Sequence, residues 1–553
     1  MKARPFLAVL LALGLLALSL GGGGWWLVWQ RSPLGLQHRP AQLPRAARFV
    51  PRQAPLSLYW LSDGREPVAY ARAVAPARLR RQAAGGVEQL RDGAFAAAGL
   101  DYPQELAAWL APEIGLALWD PEPSVDPSAG PANWLLALHS RDAEGARRFV
   151  QRFWQTRSLA GADLQVTTYR GMGLISGRGA LAGSQPVPLA TALVDDDLLL
   201  VASGRGVLEQ ALDVSQIDEL NQAGDAELRS GLERLGPAAA LLVAQEDGLE
   251  NALAWPGGGQ LLAALRPEGA ALRLEALLRP AARDGSAVAP QGRLGATAEP
   301  PGDPALRQSL LAAAPAASDR LALLQDPAAL WRSPRLRPLL ARAAGLGPGA
   351  ELRSGQVVGG GPLPPLLLTT AAGPLMAADG PAGWLMATPR QQPPLEALEA
   401  PLAAAGLIPA PLELAEGPLT VWTRLQAGDR RKGRSDRGAT DRLQAPLEGW
   451  RAERGALALW GRSLALVEGE GPARGARRRT RQLEAVDLPG ASLAWALAEA
   501  PARELLRSWQ PWLRLSALAG GALEQPVRGL ALALEGGEGE LRLRAKLEFP
   551  ASG

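Results

Sequence analysis

The spacing of apolar and polar positions changes repeatedly along the chain, and each change predicts an element. The first is an uncharged run from Pro5 to Gln30, opened by Lys2 and Arg4 and closed by Arg31. As a helix it would extend about 39 Å, beyond the roughly 30 Å of a hydrocarbon core. Trp25, Trp26 and Trp29 lie at one end, where indole rings favour a membrane interface. This pattern predicts an N-terminal transmembrane helix with the body translocated; a cleaved signal peptide is the alternative. Residues 32–48, with their prolines, read as a linker.

Beyond the linker the pattern repeats with an offset of about 250 residues. The strand beginning Asn133-Trp134 precedes the charged helix of residues 141–154, and the strand beginning Gly383-Trp384 precedes the helical stretch 393–406. Residues 163–177 and 411–425 both read as hairpins with a glycine-bearing turn. Residues 190–212 align with 455–477, placing the turn Asp195-Asp196-Asp197 opposite Gly461-Arg462-Ser463. Residues 235–253 match 488–506 as turn, buried strand and helix, and the terminal strands 269–278 and 539–549 alternate apolar and polar positions. The predicted fold class is α+β: the transmembrane helix, then two duplicated lobes of antiparallel sheet with helices on one face. The predicted division is 1–31 anchor, 32–48 linker, 49–299 first lobe and 300–553 second lobe.

Composition narrows the chemistry. The chain has 553 residues, no cysteine and two histidines. Disulfides, thiolate metal sites and thiol catalysis are excluded, and a multi-histidine metal centre nearly so. The net charge of +3 gives no overall nucleic-acid footprint.

Each candidate for chemistry has a structural reading beside it. Asp195, Asp196 and Asp197 offer hard oxygen ligands for calcium, but no glycine-bearing loop or distal glutamate accompanies them, and they read as a solvated hairpin turn. His139 stands beside Ser140 and Asp142; adjacent residues rarely build a catalytic triad. His38 carries no catalytic company. Asp101, Glu105 and Glu113 raise acid–base work, yet Asp101 before Pro103 reads as a helix cap with Glu105 in the first turn. The glycine-rich stretches 171–177 and 177–183 lack the GxGxxG spacing and read as turns. Basic runs at 430–437 and 474–481 suit anionic headgroups, nucleic acid or an acidic partner, and read respectively as a solvated loop and an exposed helix face. Trp60, Trp119, Trp134, Trp384, Trp422, Trp460 and Trp495 sit in apolar segments as core, whereas Trp509 and Trp512, flanking Pro511, are candidates for an exposed lipid- or ligand-facing groove. No catalytic, cofactor or metal residue is assigned.

The segments FVPRQAP (49–55), GLDYPQELAAWLAPEIGLAL (99–118), WLLALHSRDAEGARRFVQRFW (134–154) and VWTRL (421–425) resemble a cyanobacterial family defined only as domain of unknown function 3352. The resemblance implies an anchored protein, extracytoplasmic or thylakoid-associated, and no activity. The expected function is a non-enzymatic binding or assembly factor for a membrane or envelope partner or a lipid, with no nucleic acid. A carboxylate-dependent envelope hydrolase and a purely structural envelope protein are the alternatives.

Overall fold

The computed structural model describes residues 32–118, 133–157, 164–179, 187–251, 258–280, 303–333, 336–344, 361–427, 443–467, 474–521, 523, 526–536 and 539–550. Among the described residues, twenty strands form one antiparallel sheet. In chain order they are β1 (Leu56–Trp60), β2 (Leu110–Leu118), β3 (Trp134–Ser140), β4 (Gln165–Tyr169), β5 (Met172–Gly179), β6 (Val187–Val194), β7 (Leu198–Ala202), β8 (Ala240–Ala244), β9 (Gln260–Pro267) and β10 (Ala271–Arg279). The second half supplies β11 (Arg320–Leu324), β12 (Leu375–Gly380), β13 (Gly383–Pro389), β14 (Leu407–Leu414), β15 (Gly417–Arg424), β16 (Leu447–Arg454), β17 (Leu457–Gly461), β18 (Ala491–Leu497), β19 (Gly529–Gly536) and β20 (Leu541–Glu548). A separate two-stranded ribbon pairs Gln426–Ala427 with Leu443–Gln444.

Across the sheet the order is β4-β5-β6-β7-β3-β2-β1-β8-β9-β10-β20-β19-β18-β11-β12-β13-β17-β16-β15-β14. It reads the same from either end: each strand of the first ten has its topological equivalent ten strands later. The halves meet where β10 pairs antiparallel with β20, Ala271 opposite Glu548 through Leu278 opposite Leu541. Such a seam implies an approximate two-fold relation between the halves. The sheet therefore ends on equivalent strands, β4 and β14. Pro409 and Pro411 lie in β14. Proline is admitted in a strand where its missing N–H faces away from the ladder, so these two positions face outward on that edge.

Fourteen α-helices flank the strands among the described residues: α1 (Glu66–Val74), α2 (Arg80–Ala97), α3 (Ala143–Arg157), α4 (Arg205–Val214), α5 (Ala226–Leu235), α6 (Glu246–Asn251), α7 (Pro304–Ala312), α8 (Pro327–Arg332), α9 (Arg337–Ala343), α10 (Leu363–Thr370), α11 (Leu395–Ala404), α12 (Arg474–Ala485), α13 (Glu499–Arg507) and α14 (Gln510–Leu518). They cover both faces. In the first half, Phe49, Leu208 and Leu232 pack on one face with Tyr59 and Leu200, and Phe149, Phe153 and Trp154 of α3 pack on the other with Leu136 and Leu199. In the second half, Leu310 and Leu483 cover one face, and Leu367, Leu398 and Trp512 the other. Burial on both sides explains why β7, Leu-Leu-Leu-Val-Ala, and β17, Leu-Ala-Leu-Trp-Gly, are apolar and buried at every position.

Four expectations are corrected. First, no helix among the described residues is long and apolar enough to cross a membrane. The longest, α2, carries five charges in 18 residues. The anticipated anchor at Pro5–Gln30 lies outside the described residues, and the single-pass membrane assignment is withdrawn with it. Second, the halves share one sheet instead of carrying separate ones. Third, helices lie on both faces. Fourth, Gly461-Arg462-Ser463 is not the counterpart of the aspartate turn: β16 and β17 meet at Gly455, and Leu464–Leu466 forms a 3-10 turn.

Candidate functional site

The acidic candidates are consumed in internal contacts. Asp195 and Asp196 take left-handed backbone angles, φ 50° and 61°, at the centre of the turn closed by the Asp197 N–H donating to the Val194 carbonyl at 3.2 Å, a conformation aspartate tolerates. Their carboxylates meet arginines instead of converging: Arg45 contacts Asp195 at 3.2 Å and also Asp197, and Arg147 contacts Asp196 at 2.6 Å. Among the described residues no group of three or more acids and histidines is placed to hold a metal ion. His139 Nδ1 lies 3.3 Å from the Pro112 carbonyl and Nε2 lies 3.8 Å from Asp197. The Ser140 hydroxyl donates to the Asp142 carbonyl at 2.8 Å, so it is turned into its own loop and away from nucleophilic work.

Asp101 accepts the Gln104 N–H at 2.9 Å and caps a π-helical turn, Tyr102–Leu106. Glu105 accepts the Asp101 N–H at 2.9 Å and pairs with Arg157 at 2.8 Å. Glu113 sits at a strand irregularity with φ 83° and accepts the Arg45 N–H at 3.4 Å. These three acids serve three separate structural tasks. Of the tryptophans, Trp384, Trp422, Trp460, Trp495 and Trp512 are buried, Trp60 and Trp134 are half-buried, and Trp509 is exposed. Trp119, residues 1–31 and the basic run 430–437 lie outside the described residues, whereas His38 closes a 3-10 turn, Pro33–His38. The second basic run, 474–481, forms the first two turns of α12.

A different feature stands out at the centre of the sheet. Leu58 of β1 and Leu116 of β2 are direct cross-strand partners, yet they are 39% and 37% exposed. The same row continues through Leu242, Ala263, Ala276, Leu543 and Leu534. The adjacent row runs Ile114, Trp60, Ala240, Leu265, Leu274, Ala545 and Leu532. Most of these side chains are only half-buried. The seven strands involved span about 29 Å at the usual inter-strand spacing. The face carries no charged side chain in either row. It is bordered by the aromatic cluster of α3 in the first half and by the core under α13 and α14 in the second. The two helical layers meet where α2 touches α14: a Cβ on Gly93 would lie 2.1 Å from the Leu518 carbonyl oxygen, so only glycine permits this approach.

The opposite face of the same seam is ionic. Glu275 of β10 is buried and lies 3.0 Å from Arg273, 3.5 Å from Arg544, and 3.6 Å from both Arg266 and Arg542. Glu268 pairs with Lys546 at 2.7 Å and Arg273 at 3.0 Å. Burial pushes the Glu268 carboxyl up, but hydrogen bonds and charge from Lys546 and Arg273 outweigh it and hold it below its ordinary value. This network fixes the two halves to one another.

The profile of a family described as "Protein of unknown function (DUF3352)" matches residues 9–289. The chain belongs to this family. The match takes in β1 to β10, and the second half repeats that strand order outside the matched residues. No curated protein matches the chain. Among solved structures, two crystal forms of TP0453 align at 10% and 12% identity, over 44% and 43% of this chain and 82% and 79% of theirs, with TM-scores of 0.27 and 0.26. The leucine face went unseen in the sequence of this family member, because Leu58 and Leu116 have the alternation of ordinary half-buried strands; only the strand order puts them side by side.

Proposed function

We propose that the protein is a non-enzymatic binding protein whose ligand is the acyl chain of a lipid, held on the leucine face at the centre of the sheet. The observation that carries this reading is the exposure of the Leu58–Leu116 pair in the middle of a twenty-stranded sheet. Large exposed apolar patches on a folded chain mark interaction sites. The patch lies far from both sheet edges, so a partner cannot add a strand through main-chain hydrogen bonds. An acyl chain needs no such bonds and is served by a long strip of leucines without charges. The pairing of Asp195, Asp196, Asp197, Glu105 and Glu275 with arginines supports the same choice over a carboxylate-dependent hydrolase.

The test is titration with a fluorescent long-chain fatty acid, alongside mass spectrometry of organic extracts from the purified protein. Saturable uptake that L58Q/L116Q weakens at least about tenfold is expected; the removed apolar contact accounts for that factor. Extracts free of lipid together with no uptake by the wild-type chain would discard the reading.

A further inference from the structure

The sheet is the floor of the leucine face, and the helices beside it supply a second wall. α2 joins the two helical layers that border the face. On the first-half side Phe95 stacks on Tyr102, ring centroids 5.3 Å apart, and both pack in the cluster around α3. On the second-half side Gly93 meets the Leu518 carbonyl of α14. Between these anchors α2 is two-sided. Ala83, Val87, Leu90 and Ala94 recur at the three- and four-residue spacing of one helical stripe, and Arg81, Glu88 and Asp92 lie on the other side. Val87 and Leu90 are half-buried. α14 offers a matching side chain: Trp512 and Ser516 turn into the core, whereas Leu515, one turn before Leu518, is 44% exposed. Among the described residues, Val87, Leu90 and Leu515 join none of the buried apolar clusters, and neither do Leu58, Leu116 and Leu242 of the face itself.

The second half provides an internal comparison. By strand order, β11, β12 and β18 correspond to β1, β2 and β8. Leu58 pairs across the strands with Leu116 and Leu242, and Ala322 pairs in the same way with Ala377 and Trp495. The second trio is buried, in one cluster with Trp331 of α8 and with Leu363 and Leu367 of α10, helices that lie between β11 and β12. The helices between β1 and β2 are α1 and α2. They do not close down on Leu58 and Leu116, each of which keeps more than a third of its surface exposed. An apolar stripe and an apolar floor held without mutual contact forgo roughly 25 cal/mol for every Å² left uncovered. A slender apolar ligand between them recovers it.

We propose that α2 and α14 form an arch over the leucine face, and that the acyl chain runs beneath it with Val87, Leu90 and Leu515 as its roof. This rests on the acyl-chain reading of the face given above. The charged side of α2, with Arg81, Glu88 and Asp92, stays in water and takes no part in binding.

The chain has no cysteine, so a single-cysteine variant carries a label at one site only. In the full chain, V87C, L90C, L515C and, on the charged side of α2, R81C are each labelled with bimane and titrated with stearic acid bearing a nitroxide at mid-chain. Saturable quenching with one common midpoint is expected at the first three positions, and little quenching at position 81. Adding L58Q/L116Q should move that midpoint at least about tenfold. Unlabelled V87Q/L90Q should take up a fluorescent fatty acid at least about fivefold more weakly, with a wild-type circular dichroism spectrum; if that spectrum is lost, the labelled variants decide. Uptake that L58Q/L116Q weakens, but with no quenching at positions 87, 90 and 515 or with equal quenching at 81, overturns the arch and leaves the leucine face standing. Unchanged affinity in V87Q/L90Q does the same. Absence of uptake by the wild-type chain removes both readings.

Discussion

Replacing Glu275 with alanine tests whether the two halves are held by the ionic seam. The carboxylate is buried within 3.6 Å of four guanidinium groups. Removing one partner of a buried pair costs about 3–5 kcal/mol, because the remaining charge is left without compensation. Here the cost falls towards the lower end. Arg273 keeps Glu268 at 3.0 Å, and Arg542, with its side chain 35% exposed, keeps water. Arg266 keeps Glu268 at 4.0 Å, so Arg544 bears most of the loss, giving about 3 kcal/mol for E275A. The double change E275L/R544M restores an apolar pair on facing strands and should recover most of it, since hydrophobic replacement of buried ion pairs is often neutral. Urea unfolding followed by tryptophan fluorescence measures both. If E275A falls within about 0.5 kcal/mol of wild type, the range for ordinary surface changes, the seam is not a stabilising contact and the reasoning fails. E275L/R544M no better than E275A would locate the loss in packing instead of charge.

Two further outcomes follow from the same region. G93A should lower stability by about 1–3 kcal/mol through overpacking against the Leu518 carbonyl, although helix propensity alone would raise it by about 1 kcal/mol; a stabilised variant in thermal melts would show that α2 and α14 do not touch. Glu268 and Glu540 are both held below the ordinary carboxylate range: burial pushes each up, but Lys546 with Arg273, and Arg234 with Arg279, outweigh it. Their contribution is therefore full above the unfolded value of about 4.3 and is lost as pH falls through the lowered folded values. Urea midpoints should drop on acidification below about pH 5, and less steeply in E268Q/E540Q; an unchanged slope in that variant would assign the acid sensitivity elsewhere.

The sequence made individual strands legible wherever a turn residue bounded an apolar run. β3 and β13 begin within a residue of their expected positions because Trp134 and Trp384 stand first and second in their strands and a charged or proline-preceded helix follows. The 190–212 alignment failed for a physical reason. β16, Leu-Glu-Gly-Trp-Arg-Ala-Glu-Arg, buries little besides Gly449 and Trp450 and reads as polar, whereas Leu464–Val467 reads as a strand but curls into a 3-10 turn. The fully apolar β7 already signalled cover on both faces, a signal the expectation of one-sided helices set aside. Trp509 and Trp512 were visible as candidates for an exposed groove, but α2, which meets the helix that carries Trp512, lies about 420 residues away in sequence. Long-range pairing of this kind leaves no local trace.

The prolines in β14 have a consequence for self-association. A sheet with two free margins invites copies to join end to end without limit. Pro409 and Pro411 remove two consecutive outward donors from one margin and so oppose such joining there. Among the described residues the margin at β4 carries no proline, and Val166 there is 76% exposed. Contact through it brings two identical surfaces together and closes on itself, so growth by strand pairing stops at a pair of molecules and cannot propagate into a fibre.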